Sequence, residues 1–221
     1  MDNELTIEWL GRVAYAQGLA LQEALHAQKA AQEAFPDHVF LLEHDPVYTT
    51  GRSPEVEGVL GELPHPLVQI GRGGKITYHG PGQLVGYPVL DLRRRGRDLH
   101  RHLRLLEEVL VELSARVGVR AGTREGLTGV WVGERKLASI GVGVRRWVSL
   151  HGFAINVCGA LEGFRHIVPC GLAGVEMTSL EREGATGLTV EAAAKLVAEI
   201  LRERLCAPPL SPGDAHPGVR D

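Results

Sequence analysis

The chain has 221 residues, enough for one domain or two small ones, and its 44% hydrophobic content suffices to bury a core. A net charge of −3 gives no reason to expect nucleic acid. No stretch approaches the ~18 consecutive apolar residues of a membrane span, and the start MDNELTIEWLGRVAY lacks the basic, then apolar, run of a secretory signal, so a cytoplasmic location is expected.

In chain order, residues 4–9 read as a short strand, and 13–34 as an Ala-, Leu- and Gln-rich helix stopped by Pro36. HVFLLE at 38–43 reads as a buried strand, and DPVYTTGRSPE after it as turns. Between 67 and 92, LVQI, KITY and LVGYPVLDL are strand-like, broken by glycine pairs and by His79-Gly80-Pro81-Gly82. The clearest helix begins at the N-cap Asp98 and ends at Gly118. Leu99, Leu103, Leu106, Leu110, Leu113 and Val117 share one of its faces, while His100 and His102 read as surface residues. TGVWV, LASIGVGV and VSLHGFAINV read as strands, and about 189–205 as a helix with Val190, Ala194, Val197 and Leu201 inward. Residues 1–206 are expected to form one catalytic domain, and the Pro- and Gly-rich tail 207–221 to be disordered. Neighbouring strands with short turns, separated by helices, argue for an α/β (α+β type) fold with a mixed, partly antiparallel sheet packed with helices.

Only four of the 24 basic residues are lysines, so a lysine inside a motif stands out. The three cysteines are widely spaced, no disulfide framework, and with no CxxC or HExxH no metal is expected. Three blocks invite a chemical reading. In Arg72-Gly73-Gly74-Lys75-Ile76-Thr77-Tyr78-His79-Gly80-Pro81-Gly82-Gln83, glycines on both sides of Tyr78-His79 let backbone approach a ligand, or serve merely as hairpin turns. GK followed by Ile does not fit a phosphate-binding P-loop. In Gly133-Glu134-Arg135-Lys136-Leu137-Ala138-Ser139-Ile140-Gly141, Lys136 opens a strand of small and apolar residues, where an exposed strand-end lysine is the plain alternative. In His166-Ile167-Val168-Pro169-Cys170-Gly171-Leu172, Pro169 and Gly171 bracket a thiol in a loop. Cys158 and Cys206 have the apolar company of structural cysteines.

RGGKITYHGPGQ, ERKLASIG, HGFAINV and PCGL followed by Thr178-Ser179-Leu180, in this order over roughly 35–185, resemble the lipoyl(octanoyl) transferase family. That resemblance implies a biotin/lipoate protein ligase-like fold. It implies transfer of octanoyl from octanoyl-acyl carrier protein to the lipoyl-domain lysine of 2-oxoacid dehydrogenase complexes and the glycine cleavage H protein, the first step of endogenous protein lipoylation. Carried over by position, Cys170 is the acyl-accepting nucleophile and Lys136 its activating partner. The substrate pocket is lined by Arg72, Gly73, Gly74, Lys75, Ile76, Thr77, Tyr78 and His79, by Ser139, Ile140 and Gly141, and by Gly152, Phe153 and Ala154.

The chemistry suits these residue types. A thioester is already activated, so no cofactor and no ATP are expected. A thiol passes the acyl group on readily, and with a free pKa of ~8.5 it gains from a neighbouring lysine, as ammonium or as proton acceptor. Amides from Gly171 onward are candidate oxyanion donors. Cys170 and Lys136 lie 34 positions apart (170 − 136), so only the fold can join them. His79 and His151 either orient a ligand or satisfy buried carbonyls. The basic run Arg93 to Arg97, with Arg101 and Arg104, is either a docking patch for the acidic carrier or a solvated face. Rival readings are an ATP-dependent lipoate or biotin ligase, an amidotransferase acting between two proteins, and a non-catalytic acyl-binding module.

Overall fold

The computed structural model describes residues 5–31, 35–52, 58–159, 161–172 and 174–206, the side chains of Cys170 and Cys206 excepted. The tail 207–221, expected to be disordered, lies outside the described residues. A seven-stranded mixed sheet runs in the order β1 (Leu5–Val13), β2 (Asp37–His44), β6 (Gln83–Val89), β10 (Val148–Asn156), β9 (Arg135–Arg145), β8 (Leu127–Val132) and β7 (Gly122–Arg124). Only β1 and β2 pair in parallel; the remaining neighbours are antiparallel. A second sheet has the order β4 (Leu67–Gln69), β3 (Val47–Thr50), β5 (Thr77–His79).

Both faces of the large sheet are covered, which explains the unbroken apolar run of β2. Val39 and Leu41 point to one side, packing with Leu106, Leu110 and Leu113 of α2 (Leu99–Arg116) and Val197 and Leu201 of α3 (Val190–Cys206). Phe40 and Leu42 point to the other, packing with Val85, Ala154, and Leu21 and Leu25 of α1 (Tyr15–Ala31). The four positions expected inward on α3 are all buried, and Asp98 caps α2 by accepting from the Arg101 amide at 3.0 Å.

Several local expectations are corrected. Strand β1 runs on to Val13, which still pairs with His44, so α1 starts only at Tyr15; the expected helical residues 32–34 lie outside the described residues. The turn-like DPVYTT contains strand β3, because Val47–Thr49 pair with β5. KITY becomes a strand only at Thr77, since the Lys75 carbonyl is taken by the Arg72 guanidinium at 2.9 Å. Leu99, at the end of the α2 stripe, is 39% exposed. His102 is not a surface residue. It lies one turn before Leu106 on the buried face of α2, and burial, reinforced by Arg95, lowers its pKa to about 4.

The basic run after β6 is largely a clasp. Arg95 bonds Asp37 and Arg93 bonds Asp91, both at 2.8 Å, and both aspartates are buried. Charge reversal at Arg93 or Arg95 would therefore be read first as lost stability, not as lost docking. Asp37 also binds Lys29 at 2.7 Å, tying the end of α1 to β2.

Candidate active site

On the α1 face, the loop between β4 and β5 lies flat against β9. Gly141 and Gly143 make this possible: a Cβ at Gly141 would stand 3.0 Å from Arg72 Cδ, and one at Gly143 3.1 Å from the Gly71 carbonyl. The loop is held from within by Arg72, which is buried. One guanidinium nitrogen donates to the carbonyls of Gly73 and Lys75, both at 2.9 Å; the other donates to the Thr49 carbonyl at 2.8 Å and hydroxyl at 3.0 Å.

Between this loop, α1 and strands β6, β10 and β9 lies a cleft of about 490 Å³ of empty space, counted to its open mouth. Every expected pocket residue lines it except Gly73, Ile76 and Tyr78. Alternation along β5 explains two exceptions: Thr77 and His79 face the cleft, while Ile76 and Tyr78 face a separate cluster with Tyr48 and Phe164. Gly73 instead gives its amide to the Val142 carbonyl at 3.0 Å. Sequence reasoning missed the far wall, Tyr15, Ile70, Val85 and Tyr87. The i, i+2 spacing of Val85 and Tyr87 was the available signal. Small residues face one another in register on the floor: Gly141 opposite Gly152, and Ser139 opposite Ala154.

A continuous chain of buried hydrogen bonds links the motifs, and it fixes its own polarity. Asn156 Nδ2 donates to the Thr178 carbonyl at 2.8 Å, so Asn156 Oδ1 accepts from Gln83 Nε2 at 2.9 Å. Gln83 Oε1 must then accept from His79 Nδ1–H at 2.8 Å. His79 Nε2 is left bare and accepts from the Thr49 hydroxyl at 3.3 Å, which itself accepts from Arg72. Burial, then the neighbouring His44, pushes the His79 pKa down to about 3, so the ring is neutral. Both its nitrogens are committed, and it holds the loop instead of moving protons.

His151 also lines the cleft. Its backbone is left-handed, φ 58°, and its amide is held by Gln22 Oε1 from α1 at 2.8 Å. Burial, then Arg72, Arg145 and Arg52, lowers its pKa to about 4.

Lys136 is 2% exposed, so the strand-end surface reading does not hold. Its backbone is stitched to the segment following the cysteine loop: its amide donates to the Glu176 carbonyl at 2.8 Å and its carbonyl accepts from Thr178 at 2.9 Å. Its Nζ donates to the Thr128 carbonyl at 3.3 Å and stands 5.0 Å from the centre of the Trp131 ring. Gly129 makes the room, since a Cβ there would meet Lys136 Cε at 3.1 Å. Ser139 of the cleft lies three residues further along the strand, roughly 10 Å away at strand rise.

Cys170 belongs to the short 3-10 turn Pro169–Gly171; its side chain lies outside what is described. The amides expected to serve as oxyanion donors are engaged within the turn: Gly171 donates to the Val168 carbonyl and Leu172 to that of Pro169, both at 3.1 Å. Cys158 is half-buried against the main core, and burial, with Glu181 and Glu43 nearby, raises its thiol pKa, which makes it a poor nucleophile.

The family described as "Lipoyl protein ligase A/B catalytic domain" matches residues 14–202. This chain belongs to that family. Among its relatives, the octanoyltransferase of Geobacter sulfurreducens is 51% identical over 210 residues, covering 93% of this chain and 87% of its own. That of Syntrophotalea carbinolica is 54% identical over 178 residues, covering 80% and 83%. The family expected from the four sequence blocks is thus borne out, and the chain is an enzyme of the transferase class. In fold it is similar to lipoate-protein ligase A bound with ATP, with TM-score 0.66 and 17% identity over 93% of this chain and 86% of that one. It is also similar to the bi-partite lipoate protein ligase of Thermoplasma acidophilum, with TM-score 0.65 and 18% identity over 93% and 84%. Among the described residues no helix is long and apolar enough to cross a membrane.

Proposed function

We propose that this chain transfers an octanoyl group from octanoyl-acyl carrier protein to the lipoyl-domain lysine of lipoate-dependent enzymes in the cytoplasm, through a thioester on Cys170. The observation that carries this reading is the seating of Lys136. It is a buried amine whose backbone is fixed to the segment leading away from the Pro169–Gly171 turn, and it shares a strand with the floor of an apolar cleft.

Lys136 takes the thiol proton as the Cys170 sulfur attacks the octanoyl carbonyl. The new S–C bond forms, the carrier's C–S bond breaks, and the carrier sulfur leaves with the proton from Lys136. In the second half the acceptor lysine attacks the enzyme thioester. The N–C bond forms, the Cys170 S–C bond breaks, and the amine's surplus proton returns through Lys136 to the cysteine sulfur. A thioester has become an amide, which is downhill without ATP. The facing small residues on β9 and β10 leave room for a straight alkyl chain, and Ile70, Val85 and Ile140 give it an apolar wall.

The test is intact mass and peptide mapping after incubation with octanoyl-acyl carrier protein without ATP. An octanoyl adduct on Cys170, cleaved by thiols and missing in Cys170→Ser, is expected. Acceptor modification that needs ATP and free octanoate, and survives Cys170→Ser, would overturn the reading in favour of a ligase.

A further inference from the structure

Lys75 lies in the loop between β4 and β5 and lines the cleft. Its backbone is fixed, because its carbonyl accepts from the buried Arg72 guanidinium at 2.9 Å. Its side chain, solvent-exposed at this rim of the cleft, lies across Gly171: a Cβ on Gly171 would stand 2.3 Å from Lys75 Cδ and 3.0 Å from both Cε and Nζ. Gly171 has φ +69°, a conformation that side chains other than glycine's rarely adopt, so the turn is shaped twice over to take the lysine arm against it. The ammonium is thereby held at the residue next to Cys170, while Lys136 is buried on β9.

We propose that Lys75 is a second activating residue of the transferase. Its positive charge stabilises the Cys170 thiolate electrostatically, while Lys136 handles the proton. This rests on the reading of Cys170 as nucleophile. Lys75 forms and breaks no bond; the proton leaving the thiol still goes to Lys136, and Lys75 shifts only the balance between thiol and thiolate.

The test is the rate of iodoacetamide alkylation at Cys170 against pH, followed by peptide mapping, in the full chain and in Lys75→Met and Lys75→Arg. In Lys75→Met the alkylation midpoint should move to higher pH by about one unit, a roughly tenfold loss of thiolate below it. Lys75→Arg should restore it, and the wild-type advantage should shrink at high salt, because an exposed charge is screened. An unchanged midpoint in Lys75→Met overturns the proposal. If that variant shows only a raised KM for octanoyl-acyl carrier protein, Lys75 holds the donor and does not activate the thiol, which equally overturns it. Failure of the underlying reading looks different: wild-type protein would then form no octanoyl adduct on Cys170, whatever the alkylation profiles show.

Discussion

Two of the four lysines are buried: Lys29 at the end of α1, 1% exposed, and Lys136 at the head of β9, 2% exposed. Lys29 donates to the Asp37 carboxylate at 2.7 Å and to the carbonyls of Phe35 and Pro36 at 2.7 and 2.9 Å. Asp37 in turn accepts from Arg95 and from the Asp91 amide. The Lys29 ammonium thus meets three oxygens, and the cluster sits where β2 begins, apart from the residues that line the cleft. Lys136 is held by an aromatic face and a carbonyl at the end of the cleft strand, beside a glycine that keeps space around its arm. Burial of an amine is therefore not by itself a sign of chemistry. What distinguishes the two is place: Lys29 belongs to a carboxylate cluster at the start of β2, whereas Lys136 heads the strand that floors the cleft and is stitched to the segment after the Pro169–Gly171 turn.

Removing each amine should separate these roles. Lys136→Met should lower the rate of octanoyl transfer by about 10²–10⁴-fold, the range for losing a positioned acid–base group, while the folded protein persists. Single-turnover acyl-adduct formation against a melting curve checks both halves. A variant that melts well below wild type and keeps its rate per folded molecule would make Lys136 another structural lysine.

Lys29→Met should do the opposite, since it strips a partner from a buried carboxylate. Unfolding free energy should fall by about 3–5 kcal/mol, towards the low end because Arg95 remains. Adduct formation per folded molecule should be retained. The pH dependence follows from Asp37. Burial alone would raise its pKa, but Lys29, Arg95 and the Asp91 amide outweigh that and hold it below the usual value. A depressed carboxyl stabilises the fold above the unfolded pKa of ~3.9, and the contribution is lost as pH falls through the folded value. Urea unfolding between pH 7 and pH 3 should thus show a shallower acid decline in Lys29→Met than in wild type. Parallel declines would mean that Asp37 does not depend on Lys29.

The same contrast explains how much could be read from the sequence. Lys136 drew attention because it sits inside a motif in a chain with few lysines, but its burial was not legible, since a lysine opening a strand reads as exposed. Lys29 drew none, because a lysine on an Ala-rich helix reads as solvated, and its carboxylate is supplied by the first residue of β2. The faces of α2 and α3 followed from apolar periodicity, which depends on neighbours three and four residues apart. His102 falls on the α2 stripe by that same periodicity, but its polarity masked it. The chain from Arg72 to Thr178 was visible only in pieces. His79 and Gln83 stood in a motif, whereas Thr49 looked like part of a turn. Partners on β3, β5, β6 and β10 come together through sheet pairing, and no spacing in the sequence records that.

The smallest effect that still bears on the comparison concerns Trp131. If Lys136 carries the proton between the two half-reactions, the ring face matters for holding the ammonium between proton transfers, not for the fold alone. Trp131→Leu removes a cation–π contact worth about 0.5–2 kcal/mol, so transfer should slow by a factor of about 2 to 30. Trp131→Phe keeps a ring face and should lose less. Because Trp131 is also a large buried side chain, both variants will lose some stability to the cavity they leave. The ordering of rates per folded molecule, wild type above Phe above Leu, is therefore the informative measurement. Equal rates for Phe and Leu would mean that the ring only fills space, and that the Thr128 carbonyl and the rest of the strand suffice to hold the amine.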